Sequence, residues 1–156
     1  MNHLCYFDSV EKAKIILSKG IESLEQSMLI AINFSRKKMI NLLIENGMKE
    51  FEECLLESCF HSNIELVKFF ISKGAKNFNS AFQSFINSKN GNYIEISDIL
   101  IEKINLNSFF SFNHKNGSSH HKTPLMIYTL KSNPIMLIYL LFNGADPKIT
   151  DKVKKK

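Results

Sequence analysis

The sequence predicts an all-α fold, a solenoid of stacked antiparallel helix pairs with little or no β structure. Three observations carry that prediction. Gly20, Gly47 and Gly74 stand 27 residues apart, and a period between about 20 and 50 residues marks stacked supersecondary units. Each of these glycines closes a variant of one amphipathic segment: VEKAKIILSKG (10–20), KKMINLLIENG (37–47) and IELVKFFISKG (64–74). IEISDILIEKI (94–104) and PIMLIYLLFNG (134–144) continue the series. Ahead of each later copy lies a shorter, more apolar segment: SMLIAINF (27–34), CLLESCF (54–60), SAFQSFIN (80–87) and TPLMIYTL (123–130).

Taken in order, the chain opens on a half unit. Residues 1–8, MNHLCYFD, fill a first-helix slot through Leu4, Cys5 and Phe7. The longer segment is read as the second helix of each pair. In 64–74, Ile64, Val67, Phe70 and Ile71 recur at helical spacing while Glu65, Lys68 and Lys73 face away. Gly74 then supplies the left-handed residue that ends a helix. The shorter segments lack a period-two alternation, so each is read as a helix of about two turns, covered on most sides. Two such helices cannot enclose a core alone, whereas stacked units can. The units expected are 1–22, 23–49, 50–76, 77–105 and 106–150, followed by a basic tail at 151–156. That makes four and a half to five.

Composition narrows the class further. Hydrophobic residues at 44% and charged residues at 22% are typical of a globular chain. No apolar run approaches the roughly 20 residues of a membrane-spanning helix. The N-terminus shows no basic segment followed by an apolar one, so a cytoplasmic or nuclear protein is expected. Of the net charge of +5, the tail DKVKKK contributes +3, leaving a nearly neutral body. Lys152–Lys156 is thus either a solvated end or an electrostatic foothold on nucleic acid or anionic lipid. Cys5, Cys54 and Cys59 cannot all pair within one chain and match no zinc spacing, so all are expected reduced. Lysine outnumbers arginine nineteen to one, a bias expected of an AT-rich genome.

The last unit adds a family resemblance. TPLMIYTLKSNPIMLIYLLFNGADP (123–147) resembles the ankyrin repeat, which opens on Thr-Pro-Leu-His and closes on Leu-Leu, a few residues, then Gly-Ala-Asp-Pro. Thr123, Pro124 and Leu125 match the opening, with Met126 where the histidine belongs. Leu140, Leu141, Gly144, Ala145, Asp146 and Pro147 match the close, and IELVKFFISKGA (64–75) repeats the closing half. An ankyrin unit of about 33 residues is longer than the 27 residues of the first units here. The deficit falls where the family has its β-hairpin finger. Leu29, Leu56, Gln83 and Met126 occupy the histidine slot, and no finger is expected in the first three units. The third unit carries extra residues around Asn90-Gly91-Asn92, and Ile104 replaces its glycine. Residues 105–122, NLNSFFSFNHKNGSSHHK, form a connection of 18 residues containing the turn pair Asn116-Gly117, so a finger hairpin is expected there.

No catalytic constellation is legible. There is no phosphate loop, nucleophile elbow or His-Glu-x-x-His helix. His114, His120 and His121 lack an acidic or cysteine ligand beside them, so neither a metal nor a cofactor is expected. Asn33-Phe34-Ser35 and Asn116-Gly117-Ser118 match the glycosylation triplet by chance in a chain expected inside the cell. The resemblance implies a non-catalytic protein that binds another protein through its concave groove and finger tips. Carried over by position, the groove candidates are Ile30, Asn33, Phe34, Glu57, Phe60, His61, Ile127, Leu130 and Lys131. Phe109, Phe110 and Phe112 of the long connection either fold back over the stack or anchor a partner. A monomer binding another protein is the leading expectation. The alternatives are a nucleic-acid or membrane tether through the tail, or a fragment of a larger ankyrin scaffold.

Overall fold

The computed structural model describes residues 14–15, 18, 23–88, 94–113 and 119–150. The half unit at 1–8, Gly20, Cys5, His114, the Asn90-Gly91-Asn92 insertion, the Asn116-Gly117 turn and the lysine tail lie outside the described residues. What is described is mostly helical. The helices are α1 (Leu24–Asn33), α2 (Lys37–Glu45), α3 (Phe51–Phe60), α4 (Ile64–Ser72), α5 (Phe78–Asn87), α6 (Ile94–Ile101), α7 (Pro124–Leu130) and α8 (Pro134–Phe142). Two short strands, β1 (Phe110–Asn113) and β2 (Ser119–Lys122), stand between α6 and α7.

Each helix spans 7 to 10 residues, too short to persist alone in water. Local signals set where they start. Ser23, Asn63, Asn77, Thr123 and Asn133 each accept a hydrogen bond from the backbone N–H three residues on, satisfying a donor the helix cannot pair itself. Pro124 and Pro134 occupy first turns, where a missing N–H costs nothing.

The ends are set by left-handed residues. Gly47, Gly74 and Gly144 have φ of 100°, 104° and 89°. The residue after each glycine donates its N–H back into the helix: Met48 to Leu43 O at 3.1 Å, Ala75 to Phe70 O at 3.1 Å and Ala145 to Leu140 O at 3.0 Å. This is the Schellman closure, and Met48, Ala75 and Ala145 are buried by it. The first helices close the same way on a residue the sequence reading did not single out. Ser35, Ser62 and Ser132 have φ of 53°, 54° and 51°. Arg36, Asn63 and Asn133 then donate to Ala31 O, Ser58 O and Tyr128 O. The α5–α6 pair breaks both rules. Ser88 is extended with ψ of 157°, and no left-handed residue follows α6 among the described residues.

Packing follows the pairs. α1 lies against α2, α3 against α4, α5 against α6 and α7 against α8, while α1 also contacts α3, α3 contacts α5 and α4 contacts α6. The first helices are the more enclosed: Met28, Ala31, Ile32, Cys54, Leu55, Cys59, Ala81, Phe82, Phe85 and Ile86 are wholly buried. Second helices bury one stripe. In α4 that stripe is Leu66, Val67 and Phe70, with Ile64 and Ile71 only partly covered, so the buried face is turned from the one spacing suggested.

Polar ties cross between consecutive units. Asn63 Nδ2 donates to Ser35 Oγ at 2.9 Å and Ser84 Oγ to Leu56 O at 2.9 Å. The Glu52 carboxylate accepts the backbone N–H groups of Lys76 and Asn77, at 3.1 and 2.8 Å. Between α4 and α5, where an ankyrin finger would stand, this carboxylate satisfies the backbone donors instead.

The hairpin expected in 105–122 is present. β1 and β2 pair antiparallel, with Phe110 opposite Lys122, Ser111 opposite His121, Phe112 opposite His120 and Asn113 opposite Ser119. β1 packs on α5 and β2 on α7, so the hairpin joins the third helix pair to the last. No described helix is long and apolar enough to cross a membrane.

Candidate functional site

The C-terminal ends of the first helices fall along one edge. The Asn63–Ser35 hydrogen bond ties the turns that follow α1 and α3. At the other end Lys131, which caps α7, donates its ammonium to Ile86 O and, at 3.4 Å, to Ser88 O. That bond places the ends of α7 and α5 side by side. Along this edge Phe34 is 54% exposed, Phe60 44% and Leu130 49%, and Asn33 is exposed with them. Ile30, Glu57, His61 and Lys131 are half-buried. Phe34, Phe60 and Leu130 are thus separate exposed apolar side chains at or beside first-helix ends.

Neighbours set the posture of these groups. The Arg36 guanidinium sits over the Phe34 ring, 5.5 Å from its centroid, and the His61 ring meets Phe60 edge-on at 5.4 Å. His61 Nε2 and Glu57 Oε1 are 3.0 Å apart, one helical turn separating their residues.

Burial corrects the expectation for Ile127 and decides the open choice at Phe110. Ile127 is completely enclosed, because α7 is covered by α8 on one side and β2 on another. Phe110 is 4% exposed and packs edge-on against Phe82 at 5.6 Å, so it folds back over α5. Neither can touch a partner. Phe109, the residue before Phe110, is 46% exposed. Phe112 lies on β1, but its side chain is outside the described residues. Lys131 also differs from expectation. Its ammonium caps carbonyls at the end of α5, and burial holds its pKa below the usual lysine value.

The described residues assemble little chemistry. Cys54 and Cys59 are free and buried, and burial pushes both thiols up to about 12, so neither is a thiolate nucleophile near neutral pH. No three His, Cys, Asp or Glu side chains converge on a metal position among the described residues. A cavity of about 290 Å³ lies between α2 and α4, lined by Lys37, Ile40, Asn41, Glu65, Leu66 and Phe69. The Lys37–Glu65 ion pair at its mouth is exposed and holds the Glu65 carboxyl below its ordinary value.

Sequence reasoning missed Asn87 and Asn107, which fasten the long connection. Asn87 Nδ2 donates to Ser111 O at 3.2 Å. Asn107 accepts the Asp146 N–H at 2.8 Å and donates to Gly144 O at 3.3 Å. Asparagine in a loop carries no signal that distinguishes such a tie from a solvated turn.

No curated protein and no solved structure matches this chain. The ankyrin repeat family model matches residues 120–152, a span that holds all but the first residue of β2, with α7, α8 and its closing Gly144. The helix pair and finger strand seen there are thus similar to an ankyrin repeat, which supports the family recognised in the 123–147 motif.

Proposed function

We propose that the chain is a non-catalytic module that binds another protein, built as an ankyrin-like solenoid of four and a half to five units. The partner lies along the first-helix edge, in the groove between the helix ends and the hairpin. One observation carries this reading: Phe34, Phe60 and Leu130 are all exposed at or beside first-helix ends, which hydrogen bonds tie in pairs, α1 to α3 and α5 to α7. Exposed aromatic and aliphatic side chains on a rigid scaffold are what an interaction surface needs. Supporting it, ankyrin repeats are generally protein-binding modules, and Phe109, the residue before β1, is exposed as well. The tail on which a nucleic-acid or lipid tether would depend is outside the described residues, so no observation favours that alternative.

The test compares tagged wild-type chain with the triple variant Phe34→Ser, Phe60→Ser, Leu130→Ser. All three side chains are exposed, so an unchanged circular dichroism spectrum is expected. Proteins captured by wild type are identified by mass spectrometry and their binding is repeated with purified components. Loss of at least tenfold in affinity, about 1.4 kcal/mol, is expected for the variant. Equal binding by both forms removes the edge from the function.

A further inference from the structure

The last second helix breaks a rule that the other three obey. Counted back from the closing residues Gly47, Gly74, Ile104 and Gly144, the positions nine, six and two earlier face outward. They are Lys38, Asn41 and Glu45 in the first described pair, Glu65, Lys68 and Ser72 in the next, and Glu95, Asp98 and Glu102 in the third, all exposed. In α8 they are Ile135, Ile138 and Phe142, exposed by 64%, 56% and 88%.

A further unit stacked after α8 does not account for this. α4 has helix pairs on both sides, and its Glu65, Lys68 and Ser72 remain in water. Stacking would cover Leu141, which matches the half-buried Ile44, Ile71 and Ile101, but not the outward three. The spacing 135, 138, 142 is that of a two-turn seam for a second helix. With Leu141, it offers roughly 500 Å² of apolar surface, at the upper end for a patch on a monomer.

Charge identifies the occupant. α8, PIMLIYLLF, carries no charged residue. Its flank toward α6 is acidic: Tyr139, adjacent to Ile138, donates its hydroxyl to Asp98. Burial, with the charges of Asp98 and then Glu102, raises the Tyr139 phenol above its ordinary pKa. Among the described residues neither forms an ion pair with a lysine or arginine. Lys103, the nearest cation in sequence, lies over the Phe78 ring at 5.3 Å. A second copy would meet these acids with the same outward positions, which hold no cation on α6 or α8.

We propose that the outward face of α8, with the acids of α6 beside it, docks an amphipathic helix of another protein whose apolar stripe is edged by lysine or arginine. This surface is distinct from the first-helix edge, and either can fail without the other.

The test uses the full chain and two synthetic peptides sharing one leucine stripe, one flanked by lysines (LKKLLKLLKKLLKL) and one by glutamates (LEELLELLEELLEL). Fluorescence anisotropy is expected to show the lysine peptide binding at least tenfold more tightly. Ile138→Asn abolishes that binding, and the double variant Asp98→Asn, Glu102→Gln weakens it severalfold and flattens its salt dependence. Ile138 is exposed, so Ile138→Asn leaves the fold and the Phe34–Phe60–Leu130 edge intact. Equal binding of the two peptides, or lysine-peptide binding indifferent to Ile138→Asn, overturns the proposal. So does a dimer in sedimentation equilibrium that Ile138→Asn dissolves, which would assign the face to a second copy. Co-sedimentation with neutral phosphatidylcholine vesicles, lost in Ile138→Asn, would assign it to a lipid surface and overturn it equally.

Discussion

Replacing Gly74 by alanine separates backbone geometry from packing. Gly74 sits at φ +104°, and a Cβ built on it meets nothing within 4 Å. No clash contributes, so the whole cost lies in holding an L-residue in a left-handed conformation. That cost is about 1–2 kcal/mol. Against it, alanine restricts the unfolded chain and returns about 0.4–1 kcal/mol. The expected net loss is therefore about 1 kcal/mol, which in a chain of 156 residues lowers Tm by about 2–4 °C. Urea unfolding of wild type, Gly74→Ala and Gly74→Asn measures it, with the m-value expected to stay constant. Asparagine tolerates the left-handed region better and is expected to lose less than alanine. Gly47→Ala and Gly144→Ala meet equally open space and are expected to match. No loss for Gly74→Ala would refute the assignment of the closing glycines to backbone need. A loss above about 4 kcal/mol would point to a packing role instead.

Three further outcomes follow from burial. Phe110→Ala is expected to cost about 3 kcal/mol in the same unfolding assay, because the ring packs on Phe82; Phe109→Ala, at an exposed position, is expected to change stability by no more than about 0.5 kcal/mol. Ser97 fills the slot of Ile40 and Val67 in the second helices, yet its buried hydroxyl has no hydrogen-bond partner among the described residues. Ser97→Ala is expected to raise stability by about 1 kcal/mol, read as a higher urea midpoint. Cys54 and Cys59, with thiols pushed up to about 12, are expected to stay unmodified by iodoacetamide at pH 8 in the folded chain and to react on unfolding, as peptide mass mapping will show.

What the residues revealed follows from their chemistry. Gly47, Gly74 and Gly144 were legible because few residues other than glycine sit comfortably at φ near +100°. Ser35, Ser62 and Ser132 do the same work at φ near +50°, where non-glycine residues are tolerated, so their repetition carried no obvious signal. The 105–122 hairpin was legible from Asn116-Gly117, but which phenylalanine faces inward was not. That depends on register, since one residue of slip exchanges the two faces of a strand. Ile127 escaped for a related reason. α7 is covered on more than one side, and helical spacing alone does not separate an edge from an interior. Lys131 read as a solvent-facing contact because its acceptors, the carbonyls at 86 and 88, belong to another helix pair.

The central claim is that the helix pairs lean on one another in a row. Spin labels on exposed positions two residues before each closing residue, at 45, 72 and 102, test it most directly by pulsed electron resonance. Neighbouring pairs, 45 to 72 and 72 to 102, are expected to lie about one helix spacing apart, roughly 10 Å before label length is added, and 45 to 102 about twice that. A 45-to-102 distance no longer than the neighbouring ones would mean a closed bundle, and would contradict the row and the groove built on it.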